Sequence, residues 1–532
     1  MNPIINTVSY QETGYFTKII HDYLDRSPFL KPFYGNFPAI EQFQRQIEQK
    51  KENYALETRM LLASQVEKQN GAIITSAATR ENIHLLTNEN TFTVVTGHQL
   101  NLNTGPLYFL YKIISTINLC KQLKFTYPKY DFVPVFWMAS EDHDFDEVNF
   151  FNYRDKKIVW NTIASGPVGR LGTSTLEKVG FEYAQLLGKS KNAGYLKDLF
   201  TESYLKHSNL AGATRFLVNE LFGAYGLVIL DGDDAVLKQA FSPYMKHDLL
   251  KQTCYHEVNR STEALSEKYK GQVNPREINL FYIRDGLRER IIFEDGLYKI
   301  NNTALQFTWS GIEAELNDHP NRFSPNVMMR PLYQEVVLPN LCYIGGGGEL
   351  AYWFQLKGFF DSQGVPFPVL LLRNSALILS QKQARSIEKL GISRQAFFTK
   401  KEELIREMVT RRSEIVINLD KQRQQVQDMF AELEALSDQT DPSFSGAVRA
   451  ERKRQLNGID KLEKRLLKAQ KRKMGDLVSR LELLKDELFP QGALQERTAN
   501  FSDFYEAYGS SFIQGLVDQL DPLELKFSVL AY

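Results

Sequence analysis

The sequence predicts an α/β protein. A Rossmann-like core of parallel strands carries two connecting insertions and is followed by an antiparallel α-helical coiled-coil hairpin. Three observations point to it. Residues Phe92 to Met138 read strand–helix–strand. Three later apolar runs, "YGLVILDGDD" (225–234), "VVLPNLCYIGGGGE" (336–349) and "PFPVLLLRNSALIL" (367–379), supply further strands. Residues 393–488 change to a heptad rhythm.

In chain order, residues 1–150 hold N-terminal helices and the first part of the core. Phe92 to Val95 is a short buried strand, and Thr96 to Asn103 a polar loop. Thr104-Gly105-Pro106 signals a helix start, with Pro106 near the first helical position. Leu107, Leu110, Ile113, Ile114, Ile117 and Cys120 then recur at helical spacing. Val133 to Met138 is the second strand. Residues 151–222 form the first insertion, 223–245 return to the core, and 246–335 form the second insertion, with a strand pair around "NLFYIRDGLRERIIFEDGLYKI". The core resumes over 336–392. The hairpin occupies 393–488, with seams Met408, Ile415, Gln422, Met429, Leu436 and Ile405, Arg412, Leu419, Val426, Leu433. Its return helix runs from Ile459 to Leu488, and "SDQTDPSFSG" separates the two. The tail, 489–532, is expected to pack on the core.

The 532 residues exceed one ordinary core. Lys+Arg and Asp+Glu both number 64, so no whole-chain charge footprint favours nucleic acid or a membrane. Cys120, Cys254 and Cys342 form no CxxC pair, which fits a reducing cytoplasm. Neither a signal peptide nor a membrane span is expected.

A right-handed crossover makes the first two strands parallel, so the loops after both share one rim, where open α/β sheets bind ligands. At that rim stand Gly97-His98-Gln99 and "SEDHD". Thr96–Gly105, Ser140–Asp144 and Gly345–Glu349 are therefore expected to line one cavity. His98 could stabilise an oxyanion; its bland reading is a loop histidine satisfied by backbone. Among Glu141, Asp142, His143 and Asp144, a carboxylate could hold or deprotonate an amine, with His143 as acid or base. Mixed ligation of a divalent metal is also open. Helix capping by Ser140 or Asp142 is the bland reading, and it explains one acid, not four. Gly345, Gly346, Gly347 and Gly348 would let backbone N–H groups approach an anion, although no Gly-Lys-Ser/Thr follows. Arg330, before Pro331, suits a fixed anion-holding loop or a salt bridge. Ser380 and Lys382 follow the last strand, where a lysine could reach phosphates or simply be exposed. The basic run 461–473 reads as a solvated helix face.

"TGHQLNLNTGPLYFLYKIIS", "PVFWMASEDHDFDEVN" and "FSPNVMMRPLYQEVVLPNLCYIGGGGELAYW", in this order and followed by the hairpin, resemble the bacillithiol-biosynthesis cysteine-adding enzyme family. The resemblance runs from about residue 90 through the tail. It departs at His98, where the family is associated with glutamine. It implies a class I synthetase-like core, dimerisation through the coiled coil, and a reaction joining cysteine to glucosaminyl malate. It also implies ATP with Mg as the candidate activating cofactor, held by Gly97, Thr104, Gly105, the four glycines, Ser380 and Lys382. Substrate-facing candidates are Gln99, Asn101, Trp137, Arg330, Tyr333, Gln334, Glu349 and Tyr352. No structural metal is expected. Two rivals stay open: a metal hydrolase or deacetylase using Asp142, His143 and Asp144, and an RNA-binding protein.

Overall fold

The computed structural model describes residues 4–71, 73–437 and 439–532. They divide into two units, one built on Tyr15–Leu377 with Glu496–Leu530, the other on Ile378–Gln495.

The first unit is organised by a five-stranded sheet of β1 (Thr91–His98), β2 (Asp131–Met138), β3 (Val228–Asp231), β4 (Asn340–Gly345) and β5 (Val369–Leu372). Its order is β5-β4-β1-β2-β3, and every pairing is parallel. All eight residues of β1 are buried, as a strand covered on both faces must be. Helix α1 (Tyr108–Thr126) makes the β1–β2 crossover. Leu119 and Leu123 of α1 pack with Phe92, Val94, Leu341 and Ile344 in one core cluster. The tail covers another side of α1. The Asn118 Nδ2 donates to Val517 O (2.8 Å) and Leu520 O (2.7 Å), which ties the helix to the tail at a buried amide.

The first insertion opens with a hairpin, Phe150–Tyr153 against Lys156–Val159, and continues as helices. The second contains a five-stranded antiparallel sheet with the Leu280–Arg284 and Leu287–Glu294 hairpin inside it. Helix α2 (Ala235–Lys251) leads into that insertion.

Several boundaries differ from the sequence expectation. Gly97 and His98, expected in a loop, finish β1, because β2 continues to pair with them through Met138. Residues 336 and 337 close helix α3 (Arg330–Val337) rather than opening a strand. The run 367–379 makes two strands, Val369–Leu372 and Ala376–Leu379, not one. Side-chain bonds cause the break: Asn374 N donates to Ser115 Oγ (3.0 Å), and Arg373 Nη2 to Glu496 (2.8 Å).

The second unit holds helices Lys401–Arg412, Asp420–Ser437, Pro442–Lys473 and Gly475–Leu488. Arg423 meets Asp460 (2.7 Å) and Glu434 meets Arg452 (3.1 Å). Rising numbers on one helix against falling numbers on the other make the pair antiparallel. The first heptad run is not continuous. It breaks between Arg412 and Asp420, where Val416 is 80% exposed. Adjacent β-branched Ile415, Val416 and Ile417 weaken the helix there, and a heptad count does not register that. Among the described residues, no helix is long and apolar enough to cross a membrane.

Candidate active site

The order of the sheet reverses between β1 and β4: successive strands run outward from β1 on one side and from β4 on the other. The carboxyl ends flanking such a reversal are where open α/β sheets bind ligands. Here those ends are Gly97-His98 and Gly345-Gly346, stitched by Thr96 Oγ1 to Ile344 O (2.8 Å). The loop after β2 lies at the same edge, since Ala139 N donates to His98 O (2.9 Å).

Between these ends sits Lys112, on the first turns of α1 and 4% exposed. Its Nζ contacts Gly97 O (2.8 Å) and the Glu349 carboxylate (2.6 Å). Burial pulls the Lys112 ammonium below its ordinary pKa, and Glu349 opposes that. For Glu349 burial pushes up, but Lys112 and the Tyr343 hydroxyl (2.6 Å) prevail and hold the carboxyl at about 2. The Glu349 carboxyl is therefore ionised beside the Lys112 nitrogen.

Arg330 is different. Its Nη1 donates to Gln334 Oε1 (3.0 Å), and its Nη2 is buried without a hydrogen-bond partner. Among the described residues, no carboxylate lies within ion-pair distance of it. Tyr352 stands beside it, and a Cβ on Gly97 would lie 3.6 Å from Nη1. A half-buried guanidinium with one buried, unpartnered nitrogen and no ion-pair partner is poised for an anion.

His98 Nδ1 lies 2.9 Å from Gln99 O. A carbonyl only accepts, so Nδ1 carries the proton and Nε2 is a bare acceptor. Burial first, then the Lys112 charge, push its pKa down to about 3. A neutral ring with an accepting Nε2 does not stabilise an oxyanion, contrary to the sequence reading.

The acidic loop separates into distinct roles. Glu141 is bound to Lys238 (2.6 Å), which also holds Asp233 (2.8 Å) and is fully buried. Burial raises the Glu141 carboxyl above its ordinary value, against the pull of Lys238. Arg170 from the first insertion adds a two-pronged bond to Asp233 (2.8 and 3.0 Å), and Ser140 bonds Asp231. Glu141 is thus part of a structural ion network. Asp142 faces outward and accepts Gln99 Nε2 (2.7 Å) and the amide of His143 (2.7 Å). Burial alone would raise its pKa, but the bonds from His143 and Gln99 and the Arg288 charge hold it well below the usual carboxylate range. Gln99 Nε2 also donates to Glu147 (2.8 Å). His143 Nδ1 receives Arg288 Nη1 (2.6 Å) from the second insertion. Asp144 is exposed at the start of a short helix, Phe145–Val148, and makes no side-chain cap. Val168 N donates to Asp142 O (2.6 Å), so both insertions grip this loop.

Other candidates are committed elsewhere. Trp137, Tyr333 and Gln334 are interior: Tyr333 OH bonds Gly232 O (2.8 Å) with its ring edge-on to Trp137, and Gln334 bonds Glu335 (2.9 Å). Trp137 and Tyr333 frame the site, and Gln334 touches it through its bond from Arg330 Nη1 (3.0 Å). Thr104 is buried, Gly105 O accepts Asn500 Nδ2 (2.6 Å), and Leu107 N donates to Ala499 O (2.9 Å). The tail therefore closes this helix start, which had been expected to take an anion. Gly346 N is held by Glu349 Oε2 (2.8 Å). Ser380 caps the helix Gln381–Leu390 in the second unit, and Lys382 is exposed on its first turn. Lys112, Arg288, Lys238, Arg170 and Arg373 escaped the sequence reading. A lone lysine inside the apolar helix "YFLYKIIS" was a usable signal for Lys112; the others become neighbours only through the fold. Among the described residues, no group of three or more His, Cys, Asp or Glu side chains is arranged to hold a metal ion.

A family model described as "Bacillithiol biosynthesis BshC, N-terminal Rossmann-like domain" matches residues 4–374, and one described as the C-terminal coiled-coil domain of the same family matches 376–532. A protein of Flavobacterium johnsoniae is 53% identical over 98% of this chain and 99% of its own length. One from Flavobacterium psychrophilum is 52% identical over 99% of both chains, and one from Cytophaga hutchinsonii 34% identical over 99% of both. All three bear the name "Putative cysteine ligase BshC".

Proposed function

The chain belongs to the BshC family of bacillithiol biosynthesis, and on that premise we propose that it is a cysteine ligase joining the carboxyl of cysteine to the amine of glucosaminyl malate. In that reaction a carbon–nitrogen bond forms, a carboxyl oxygen departs with the activating group, and the substrate ammonium loses two of its three protons, the third staying on the amide nitrogen. The observation that carries the reading is Arg330, a half-buried guanidinium with a buried, unpartnered Nη2 and no ion-pair partner, where the strand order reverses. It suits a substrate carboxylate. Across β1, Asp142 presents an ionised carboxylate oriented by Gln99, which suits an ammonium. Its depressed pKa makes it a better anchor for that ammonium than an acceptor of its proton.

ATP with Mg is the proposed activating cofactor. The residues expected to cradle it fit poorly: Gly346 N is taken by Glu349, Gly105 lies under the tail, and Ser380 serves as a helix cap. A homodimer through the coiled-coil unit is the proposed assembly, supported by Met429, Leu436 and Leu462, which each expose about half their surface.

The test is incubation of the purified protein with cysteine, glucosaminyl malate and Mg-ATP, each omitted in turn, with mass spectrometry of the thiol product and of any AMP or ADP. Product requiring both cysteine and glucosaminyl malate is expected. No product in the complete mixture sinks the ligase reading.

A further inference from the structure

Around Gln99 and Asn101, in the loop after β1, lies a cavity of about 420 Å³ whose wall reaches well beyond that motif. Its walls come from the loop after β1, the start of α1, the entry to the first insertion and the tail. It brings together groups that local sequence does not connect. Arg497 arrives from the tail, Glu147 from the acidic loop, and Asn152 from the first insertion. Gln99, Asn101 and Tyr108 complete the lining that matters here.

We propose that this cavity is the binding site for the amino-sugar dicarboxylate, with Arg497 taking a malate carboxylate and Glu147 and Asn101 facing the sugar and its ammonium. The proposal rests on the ligase reading and adds to it a place for the second substrate.

Three observations carry it. Arg497 and Glu147 line one cavity yet do not pair. Among the described residues, no carboxylate lies within ion-pair distance of Arg497. Opposite charges held apart across one cavity complement a ligand bearing both signs, and glucosaminyl malate carries an ammonium and two carboxylates. Second, Asn101 is 7% exposed. Its Nδ2 is fixed on Glu147 O (2.9 Å), while its Oδ1 is buried with no partner. An amide clamped by its nitrogen, with its oxygen unsatisfied, costs free energy unless something donates to it. A sugar hydroxyl or an ammonium would do so. Third, the remaining wall suits a pyranose. The Tyr108 ring offers an aromatic surface, and Asn152 is anchored through Nδ2 to Thr498 O (2.8 Å), which leaves its oxygen for a hydroxyl.

The cavity also joins the reaction centre. Gln99 Nε2 bonds Glu147 on the cavity side and Asp142 on the other, so an amine held at Glu147 is one side chain from the ionised Asp142. The Tyr108 ring lies 5.4 Å from His98 and stacks under Arg373 (5.1 Å), linking the cavity to the reversal point where Arg330 waits. Cysteine at Arg330 and the amino sugar at Arg497 would approach each other across Gln99.

Calorimetric titration of the full-length protein tests this, with glucosaminyl malate, glucosamine, malate and N-acetylglucosaminyl malate as separate ligands. Glucosaminyl malate should bind best. Arg497→Gln should weaken it by roughly tenfold or more while leaving glucosamine unchanged. Glu147→Gln should remove the preference over the acetylated compound. Arg497→Lys, which keeps the charge, should recover part of the loss and separates binding from misfolding. If both Arg497→Gln and Glu147→Gln bind glucosaminyl malate like the wild type, and product still forms, the cavity assignment is overturned and the ligase reading stands. A wild type that neither binds glucosaminyl malate nor forms product overturns both.

Discussion

Arg288 Nη1 lies 2.6 Å from His143 Nδ1. The same nitrogen is 3.6 Å from the Asp142 carboxylate; a guanidinium can only donate, so with Arg288 as the nearer partner Nδ1 is the bare nitrogen and Nε2 carries the proton. Arg288 is 8% exposed on its side chain and stacked on Phe281 (3.9 Å), and its Nε is buried without a partner. It is held by its own insertion and positions the histidine of another loop. The His143 ring is therefore left with Nε2–H as its free donor.

Nitrogen-15 spectra of histidine-labelled protein should show His143 with Nδ1 unprotonated and Nε2 protonated. In Arg288→Ala that preference should relax, and amide formation should fall on the order of 10²-fold. A Nδ1-protonated His143 in the wild type would refute the assignment. So would an unchanged tautomer in the variant.

Glu141 and Asp142 are adjacent and should behave oppositely. Glu141→Gln leaves buried Lys238 with Asp233 alone, and stability should drop by about 3 kcal/mol, read by denaturant unfolding. Asp142→Asn should change stability by less than about 1 kcal/mol and abolish product formation. Near wild-type turnover in Asp142→Asn would reduce the acidic loop to a structural feature.

His98 sets a pH dependence of stability. Its folded pKa of about 3 lies below the unfolded value of about 6.5. On acidification the unfolded chain takes up the proton first. The stability from neutral His98 is therefore complete above about pH 6.5 and is lost as pH falls toward 3, on the order of 5 kcal/mol in all. His98→Gln should flatten that acid limb in melting curves between pH 4 and 6.5, on the order of a few kcal/mol. An equally steep limb in the variant would place the proton uptake elsewhere.

The four glycines should not be equivalent. A Cβ on Gly345 would lie 2.9 Å from both Leu350 Cδ1 and Tyr343 Cε1, whereas one on Gly348 meets nothing within 4 Å. Gly345→Ala should cost about 1–3 kcal/mol. Gly348→Ala should be neutral, or stabilising by up to about 1 kcal/mol, with activity retained. A stable Gly348→Ala protein without activity would mean that a ligand touches that backbone.

The sequence by itself determined the architecture. The apolar runs at 92–95, 133–138 and within 336–349 are short, β-branched or aromatic, and followed by polar or glycine-rich turns, and that pattern reads as buried parallel strands, although residues 336 and 337 proved to end a helix. It also placed Gly97-His98-Gln99, the acidic loop and the glycines on one edge, because parallel strands share the direction of their carboxyl ends. Local patterns record which residues want burial and where turns fall. They do not record which distant side chains meet. Only the tertiary structure decided that Glu141 serves Lys238 while Asp142 faces outward, since the two are chemically alike and differ in what packs behind them. It decided that the start of α1 is closed by Ala499 and Asn500 from the tail, almost four hundred residues away. It turned Trp137, Tyr333 and Gln334 inward, set Arg288 against His143, and brought Arg497 to the cavity wall beside Gln99. A charged side chain takes its role from the electrostatic company it is buried with, and that company is assembled by long-range packing, which periodicity and spacing do not encode.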